Sequence, residues 1–234
     1  MSEKPQSYAP GLYGVIGPGV NIYVLDDGDA GLTVVDAGMP GSTDSVLDLI
    51  RALGRAPSDV KHILITHADL DHIGGLKALV EATGAPVVAS AASAPYIRSR
   101  KTPPHMPFPL SIFTSVATRF MRKPAPVDQI VSDGERLAIA GGIRVIATPG
   151  HTPDHVSFYW ERENVLLAGD LLNNRSGLAL TPQRITHDQD AARASARKAL
   201  ALQPAVIACG HGPVWLAAQN PGGIEALLAS FEPG

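Results

Sequence analysis

The chain has 234 residues and a mass of 24.5 kDa, and its 45% hydrophobic and 18% charged residues are typical of a globular protein with a large core. A net charge of −3 and the absence of a long apolar run disfavour nucleic-acid binding and membrane insertion. The single cysteine, Cys209, excludes a disulfide within the chain. With no apolar signal segment near Met1, we expect a cytoplasmic protein.

Eight apolar runs, most of them ending in Asp, Gly or His, predict β-strands. In chain order they are NIYVLDD, GLTVVDAG, HILITHAD, APVVAS, IRVIATPG, HVSFYW, NVLLAGD and AVIACGHG. Helices are predicted between them at residues 42–54, 75–83 and 188–202, from apolar residues at helical spacing and from capping residues. Two tandem groups of strands and helices predict two packed sheets with helices outside, in a single domain over residues 1–234.

An insert at about residues 98–127 is bounded by prolines and interrupts this pattern. Between residues 82 and 127 the chain has six basic and no acidic residues, which predicts either a solvated basic face or a rim for an anionic substrate. The apolar residues of the insert fall on one helical face, which suits core packing, a lid over a pocket or a contact with a second copy. The candidate pocket residues are His105, Phe113, Phe120, Arg119 and Arg122.

The stretch HILITHADLDHIGGL, residues 62–76, contains a dense group of polar side chains directly after an apolar strand. His67, Asp69, Asp71 and His72 have the spacing H-x-D-x-D-H. Such a group is costly to bury unless something positive compensates its carboxylates. A divalent metal would do so, because imidazole and carboxylate are its usual ligands.

Three further strands end in a residue of the same kind beside a glycine turn. These residues are His151, Asp170 and His211. A lone histidine or aspartate at such a place is more often a satisfied core or turn residue than a ligand. The convergence of several strand ends at one sheet edge favours a common site instead.

Together these stretches resemble the metallo-β-lactamase superfamily over nearly the whole chain. The resemblance rests on NIYVLDDGDAGLTVVDAG, THADLDHIGG, TPGHTPDHVSF, AGD and CGHG. It implies a four-layer αβ/βα sandwich of two mixed sheets, with two divalent metal ions at one end. Zinc is the expected metal, with manganese or iron as alternatives.

The resemblance also implies a role for each matching position. One metal is expected at His67, Asp69 and His151, and the second at Asp71, His72 and His211. Asp170 would bridge the two metals, and Asp36 would support the metal loop from outside the ligand set. Asp71 and Asp170 are the expected catalytic residues.

Asp69 departs from the family's usual H-x-H-x-D-H pattern. A carboxylate adds negative charge and a hard oxygen to the first site, which favours manganese or iron more than a third imidazole would. Its side chain is also shorter than an imidazole, so direct ligation and ligation through water are both open.

The implied reaction is hydrolysis, in which a metal-bridging hydroxide attacks the carbonyl of an ester, lactone or thioester while Asp71 orients it or moves its proton. The expected substrates are small molecules, anionic ones among them. Alternatives are a mononuclear iron dioxygenase acting on a persulfide, a phosphodiesterase or nuclease, a β-lactamase, and a binding module without activity. The family's fold does not choose among them.

Overall fold

The first β-sheet contains the amino-terminal strands of the chain. The computed structural model describes residues 5–17 and 19–231. In both chain order and spatial order, the strands of this sheet are β1 (Ser7–Ala9), β2 (Leu12–Val15), β3 (Ile22–Asp26), β4 (Leu32–Val35), β5 (Val60–Leu64), β6 (Val87–Ser90) and β7 (Gln129–Val131). Neighbours are antiparallel from β1 to β4 and parallel from β4 to β7, so the sheet is mixed.

The second sheet contains most of the remaining strands. In chain order these are β8 (Arg136–Leu137), β9 (Ile143–Ala147), β10 (Val156–Trp160), β11 (Val165–Gly169), the separate pair β12 (Leu172–Asn173) and β13 (Ala179–Leu180), β14 (Val206–Cys209) and β15 (Trp215–Leu216). The spatial order of the sheet is β15-β14-β11-β10-β9-β8. Because β9 and β11 are both antiparallel to β10, and β14 is parallel to β11, the carboxyl ends of β9, β11 and β14 lie at one edge.

Helices connect the strands. They are α1 (Thr43–Ala52), α2 (Leu70–Ile73), α3 (Leu76–Thr83), α4 (Ala94–Ile97), α5 (Leu110–Met121), α6 (Gln189–Leu200) and α7 (Gly223–Ala229), with 3-10 turns at Gly28–Ala30, Pro57–Asp59, Gln183–Ile185 and Ala217–Gln219. Gly84 ends α3 in the left-handed conformation, at φ 71°, as a glycine after a helix commonly does. Asp188 caps α6 by accepting bonds from the N–H groups of Asp190 and Ala191.

Three hydrophobic clusters hold the layers together. The central cluster joins the two sheets, with Leu25 and Leu64 of the first sheet and Phe158 and Leu167 of the second among its buried members. A second cluster packs α1, α3 and α4 on the outer face of the first sheet. A third packs α6 and α7 on the outer face of the second sheet. The layer order is helix, sheet, sheet, helix, which confirms the four-layer αβ/βα sandwich predicted from the sequence.

The helix of the insert, α5, leaves its apolar face in contact with solvent. The residues predicted to share this face are between 50% and 79% exposed, namely Ile112, Phe113, Val116, Phe120 and Met121. The interpretation that this face packs on the core is therefore wrong. Among residues 5–17 and 19–231 we find no helix with the length and hydrophobicity needed to cross a bilayer.

Candidate metal centre

The H-x-D-x-D-H motif lies in the loop that follows β5 and in the short helix α2. Asp69 directly precedes α2 in an extended conformation, with φ −74° and ψ 154°, and its side chain makes no capping bond to the helix. Its carboxylate is therefore available to neighbours outside the helix. Asp71 and His72 lie in the first turn of α2, and His67 is buried in the loop before it.

The other candidate ligands come from the second sheet. His151, Asp170 and His211 follow β9, β11 and β14, whose carboxyl ends lie at one edge. Gly210 precedes His211 and lies against the centre, because a Cβ at this position would be 2.2 Å from Asp170 Oδ1 and 2.8 Å from His72 Cε1. Only a glycine permits this approach.

The first group of side chains consists of His67, Asp69 and His151. One potential ligand atom of each lies within 4.8 Å of the others. Asp69 Oδ2 is 3.6 Å from His67 Nε2 and 3.3 Å from His151 Nε2. All three residues are buried. The carboxylate of Asp69 thus lies beside both histidines with which the resemblance groups it.

The second group consists of Asp71, His72 and His211, whose potential ligand atoms also lie within 4.8 Å of one another. His211 Nε2 is 3.4 Å from Asp71 Oδ2. Asp170 lies between the two groups. Its Oδ1 is 3.2 Å from His72 Nε2, while its Oδ2 is 3.1 Å from His211 Nε2 and 3.7 Å from His151 Nε2. The structure therefore brings together the side chains of all seven expected ligands.

Asp36 and Thr66 orient two of the histidines. His72 Nδ1 donates to Asp36 Oδ2 over 2.8 Å, and Thr66 donates to the same carboxylate through both its backbone N–H and its hydroxyl. The Thr66 hydroxyl in turn accepts from His67 Nδ1 at 3.0 Å. Each bond places the ring proton on Nδ1 and leaves the Nε2 lone pair free for a metal. Asp36 has φ 64°, an uncommon conformation that this network of bonds maintains.

His211 and Asp170 are positioned in a similar way by neighbouring groups. His211 Nδ1 donates to the Gly19 carbonyl over 2.8 Å, which leaves Nε2 facing the centre. The backbone N–H of Asp170 donates to His155 Nε2 over 3.0 Å, and His155 Nδ1 donates to the Thr148 hydroxyl over 2.8 Å. Burial and the nearby imidazoles lower the pKa of His155 well below its ordinary value, so this residue acts as a neutral support beneath Asp170.

The pKa directions show how strongly the acids and imidazoles of the centre interact. Burial raises the pKa of Asp69, but the imidazoles of His105, His151 and His67 lower it more, and the net pKa is well below 3.8. Burial lowers the pKa of His211, but the carboxylates of Asp170 and Asp71 raise it to about 10. The carboxylates thus require positive charge beside them, whether it comes from protons or from a metal.

The donor atoms of the centre fit divalent cations. Several buried atoms have no hydrogen-bond partner among the described residues, including His67 Nε2, His72 Nε2, Asp69 Oδ1 and Asp170 Oδ1. Buried polar atoms are almost always satisfied, so a convergent set of unsatisfied imidazole nitrogens and carboxylate oxygens indicates a missing partner of positive charge. Nitrogen and oxygen donors of this kind suit zinc, manganese and iron.

His105 is the pocket candidate that reaches the centre. Its Nε2 lies 3.0 Å from Asp69 Oδ2, and its side chain is only 2% exposed. It lines a small cavity of about 110 Å³ together with Asp69, Asp71 and the polar face of α5, which includes Thr114 and Thr118. The insert therefore covers one side of the centre, with His105, Met106 and the Thr114 and Thr118 side of α5.

The other four pocket candidates of the insert do not line this cavity. Arg122 is buried, with 1% exposure, and donates to the backbone carbonyls of Tyr96, Ser99 and Lys101, so the expectation that it meets substrate is wrong. Phe113, Phe120 and Arg119 lie on the exposed part of α5. A helical period of about 3.6 residues places them away from Thr114 and Thr118, the residues that contact the cavity.

Sequence reasoning missed two arginines near the centre. A cavity of about 300 Å³ is lined by Asp170, His211, Arg175 and Arg184. Arg175 Nη2 lies 2.9 Å from His211 Nδ1 and donates to the Gly19 carbonyl over 3.2 Å, whereas Arg184 makes no hydrogen bond or ion pair with another described residue. Neither arginine belongs to a recognisable motif, and the only signal for Arg175 was that it follows Asp170 closely along the chain.

Comparisons with known proteins agree with this architecture. The chain is 30% identical over 207 residues to the uncharacterized protein YobT of Bacillus subtilis, covering 82% of this chain and 83% of that one. It is 27% identical over 223 residues to the probable metallo-hydrolase YflN of the same organism, covering 87% and 84%. It is also 32% identical over 152 residues to a hydroxyacylglutathione hydrolase of Rhodopseudomonas palustris, covering 64% of this chain but only 47% of that protein.

A solved B3 metallo-beta-lactamase, described as having an active-site glutamic acid, is 25% identical to this chain and superimposes on it with a TM-score of 0.74, covering 100% of this chain and 93% of that one. The family model of the metallo-beta-lactamase superfamily matches residues 15–211, which include all seven candidate ligands. The chain therefore belongs to the metallo-beta-lactamase superfamily and is a metallo-hydrolase.

Proposed function

We propose that this protein is a dinuclear metal-dependent hydrolase that breaks the acyl C–O or C–S bond of small ester, lactone or thioester substrates. The observation that carries the proposal is that two of the ligand groups, His67-Asp69-His151 and Asp71-His72-His211, share no member, while Asp170 groups with His67 and His72 between them. His67, Asp69 and His151 would hold one ion, and the second group would hold the other.

Divalent ions held at these positions would polarise a substrate carbonyl and lower the pKa of water toward neutrality. The chain's own contribution is to fix the ligand nitrogens. Asp36 accepts a hydrogen bond from His72 Nδ1, the Thr66 hydroxyl accepts one from His67 Nδ1, and the Gly19 carbonyl accepts one from His211 Nδ1. The opposite ring nitrogens therefore face the centre. We propose zinc as the native metal, although the carboxylate of Asp69 also suits manganese or iron.

Asp71 is the candidate for moving protons. Its side chain is 36% exposed, more than those of Asp69 and Asp170, which are 8% and 5% exposed. It therefore faces solvent and an incoming substrate while lying 3.4 Å from His211 Nε2. In this position its carboxylate can accept a proton from the attacking water and deliver it to the leaving oxygen or sulfur.

The two arginines support a preference for anionic substrates. The cavity that contains Arg175 and Arg184 opens beside Asp170 and His211, on the same centre. Arg184 has no hydrogen-bond or ion-pair partner in residues 5–17 and 19–231, so a substrate carboxylate or phosphate is a suitable ligand for its guanidinium. The similarity to a hydroxyacylglutathione hydrolase supports a thioester as one substrate class.

Metal analysis combined with a substrate screen tests the proposal. We expect close to two metal ions per chain, and hydrolysis of esters, lactones or thioesters after loading with zinc, manganese or iron. His151→Ala should remove both activity and at least one metal, whereas His62→Ala, away from the ligand set, should change neither. A single iron per chain with oxygen uptake on a persulfide would contradict the proposal, and so would cleavage of phosphodiesters alone.

A further inference from the structure

The side chain of His105 lies against Asp69, and the proposed hydrolytic function gives His105 no role there. It belongs to the insert, far along the chain from the H-x-D-x-D-H motif, yet its Nε2 lies 3.0 Å from Asp69 Oδ2. Its ring is also 4.9 Å from that of His151, measured between centroids. Two other imidazole nitrogens, of His67 and His151, face the same carboxylate oxygen. Three imidazoles therefore surround Asp69 Oδ2.

The protonation of the His105 ring follows from its other contact. Nδ1 lies 3.1 Å from the Pro103 carbonyl, which can only accept, so Nδ1 carries the proton. Nε2 then faces Asp69 Oδ2 across 3.0 Å in a buried space, where either a shared proton or a metal ion can lie between the two atoms. A lone pair beside an ionised carboxylate oxygen is unfavourable unless a positive charge joins them. A metal ion held by Asp69, His67 and His151 would supply that charge.

We propose that His105 is a further ligand of the first metal, so that the insert supplies an imidazole nitrogen in place of the one that the family's usual pattern has at position 69. This inference rests on the metal centre of the proposed function. The first site would then have three imidazoles, from His67, His105 and His151, together with the Asp69 carboxylate. That donor set restores the nitrogen-rich character that zinc favours.

The buried Arg122 explains how the insert holds His105 in place. Its guanidinium donates to the carbonyls of Tyr96, Ser99 and Lys101 in the segment that leads to His105. Burial lowers its pKa to about 10, which still leaves the side chain charged at neutral pH. Arg122 therefore ties the carboxyl end of α5 to the start of the insert, and the loop between them presents His105 to Asp69.

Cobalt(II) provides a direct test, because each imidazole bound to this paramagnetic ion gives a strongly shifted ring N–H signal in the NMR spectrum. We expect five such signals in the fully loaded parent protein, one each from His67, His72, His105, His151 and His211. His105→Ala and His105→Gln should each lose one signal. The control His187→Ala, another histidine on the pocket side, should lose none.

Zinc affinity gives a second readout that does not depend on activity. Competition with a chelator should show that His105→Ala weakens the binding of one zinc by at least about tenfold. Loss of a residue that only orients a metal ligand already lowers metal affinity about 10- to 100-fold, and loss of a ligand should cost at least as much. In the double variant Asp69→His with His105→Ala, the new imidazole should restore most of that affinity. This rescue separates ligation from a general role of His105 in folding.

The outcomes distinguish this inference from the proposed function. If the parent protein binds two cobalt ions but shows four shifted N–H signals, unchanged in His105→Ala, His105 is not a ligand and the proposed function stands. If His105→Ala loses zinc affinity but Asp69→His fails to restore it, ligation by His105 is also wrong. If the parent protein binds neither cobalt nor zinc, the proposed function fails together with the inference.

Discussion

His72 Nδ1 and Asp36 Oδ2 lie 2.8 Å apart, and both side chains are buried. Asp36 is fixed by two donors of Thr66, and it is held at φ 64°, where few residues other than glycine are found. A carboxylate in this position accepts a hydrogen bond from Nδ1–H and so selects the tautomer of His72 that can bind a metal through Nε2.

Asp36→Asn should therefore weaken metal binding without removing a ligand. The amide can donate as well as accept, so it no longer enforces the Nδ1 proton of His72. We expect zinc affinity at the second site to fall about 10- to 100-fold, measured by chelator competition. Asp44→Asn, on the exposed surface of α1, is the matched control. Equal affinities in the parent and Asp36→Asn proteins would contradict this role.

Gly210→Ala tests how closely the backbone approaches the centre. The added Cβ would lie 2.2 Å from Asp170 Oδ1, a distance that forces Asp170 or the β14 loop to move. Since Asp170 lies between the two groups, we expect the metal content to fall toward one ion or none per chain, measured by elemental analysis. Gly17→Ala, where a Cβ meets nothing within 4 Å, should keep the parent's metal content. A fully loaded Gly210→Ala protein would show that the loop can adjust.

The sequence predicted the central strands and the long helices well, because their signals are local. Residues 22–25 and 206–209 are continuous apolar runs, and Asp188 and Gly84 mark helix ends by their own chemistry. The short strands β1, β2, β7, β8, β12, β13 and β15 were not predicted. They have two to four residues each, and they are strands because a neighbouring strand pairs with them.

The centre was predictable to the extent that its residues lie in motifs. The side chains around it were less so, because their roles depend on contacts between distant segments. Arg122 looked like a surface cation but is buried against three carbonyls. The α5 periodicity revealed an apolar face but not whether that face points inward, and Phe120 proved to be 79% exposed. Nothing in the sequence indicated that Arg184 would lie beside Asp170.

The ion pair between Asp133 and Lys198 predicts a pH dependence of stability. Lys198 Nζ lies 2.7 Å from both carboxylate oxygens, and its bond lowers the pKa of Asp133 below 3.8. A folded-state pKa below the unfolded value means that the stabilisation is complete above about pH 4 and is lost as the pH falls through the folded pKa. Because the pair is about half exposed, we expect it to contribute at most about 1 kcal/mol.

Asp133→Asn should therefore lower the free energy of unfolding at pH 7, and its difference from the parent should shrink as the pH is lowered toward 2. Urea denaturation at both pH values measures this. Asp48→Asn removes a more exposed pair on α1, with Arg51, and should have a smaller effect at pH 7. A difference that stays constant down to pH 2 would mean that the effect of Asp133→Asn does not come from its charge.

Arg184 should select substrates by charge. Its guanidinium lines the cavity beside Asp170 and His211 and pairs with none of the residues that the structure describes, so an anionic group of the substrate can bind there. Arg184→Gln should raise KM for an anionic ester or thioester about tenfold, since a hydrogen bond to a charged group contributes about 1.5–3 kcal/mol. The kcat for that substrate should stay nearly unchanged, and so should both kinetic parameters of a neutral analogue. Arg119→Gln, which removes an exposed cation of α5, should change neither parameter. An equal rise in KM for the anionic and the neutral substrate would show that Arg184 shapes the cavity but does not select charge. If only Arg119→Gln raised KM for the anionic substrate, the anion would bind at the insert instead.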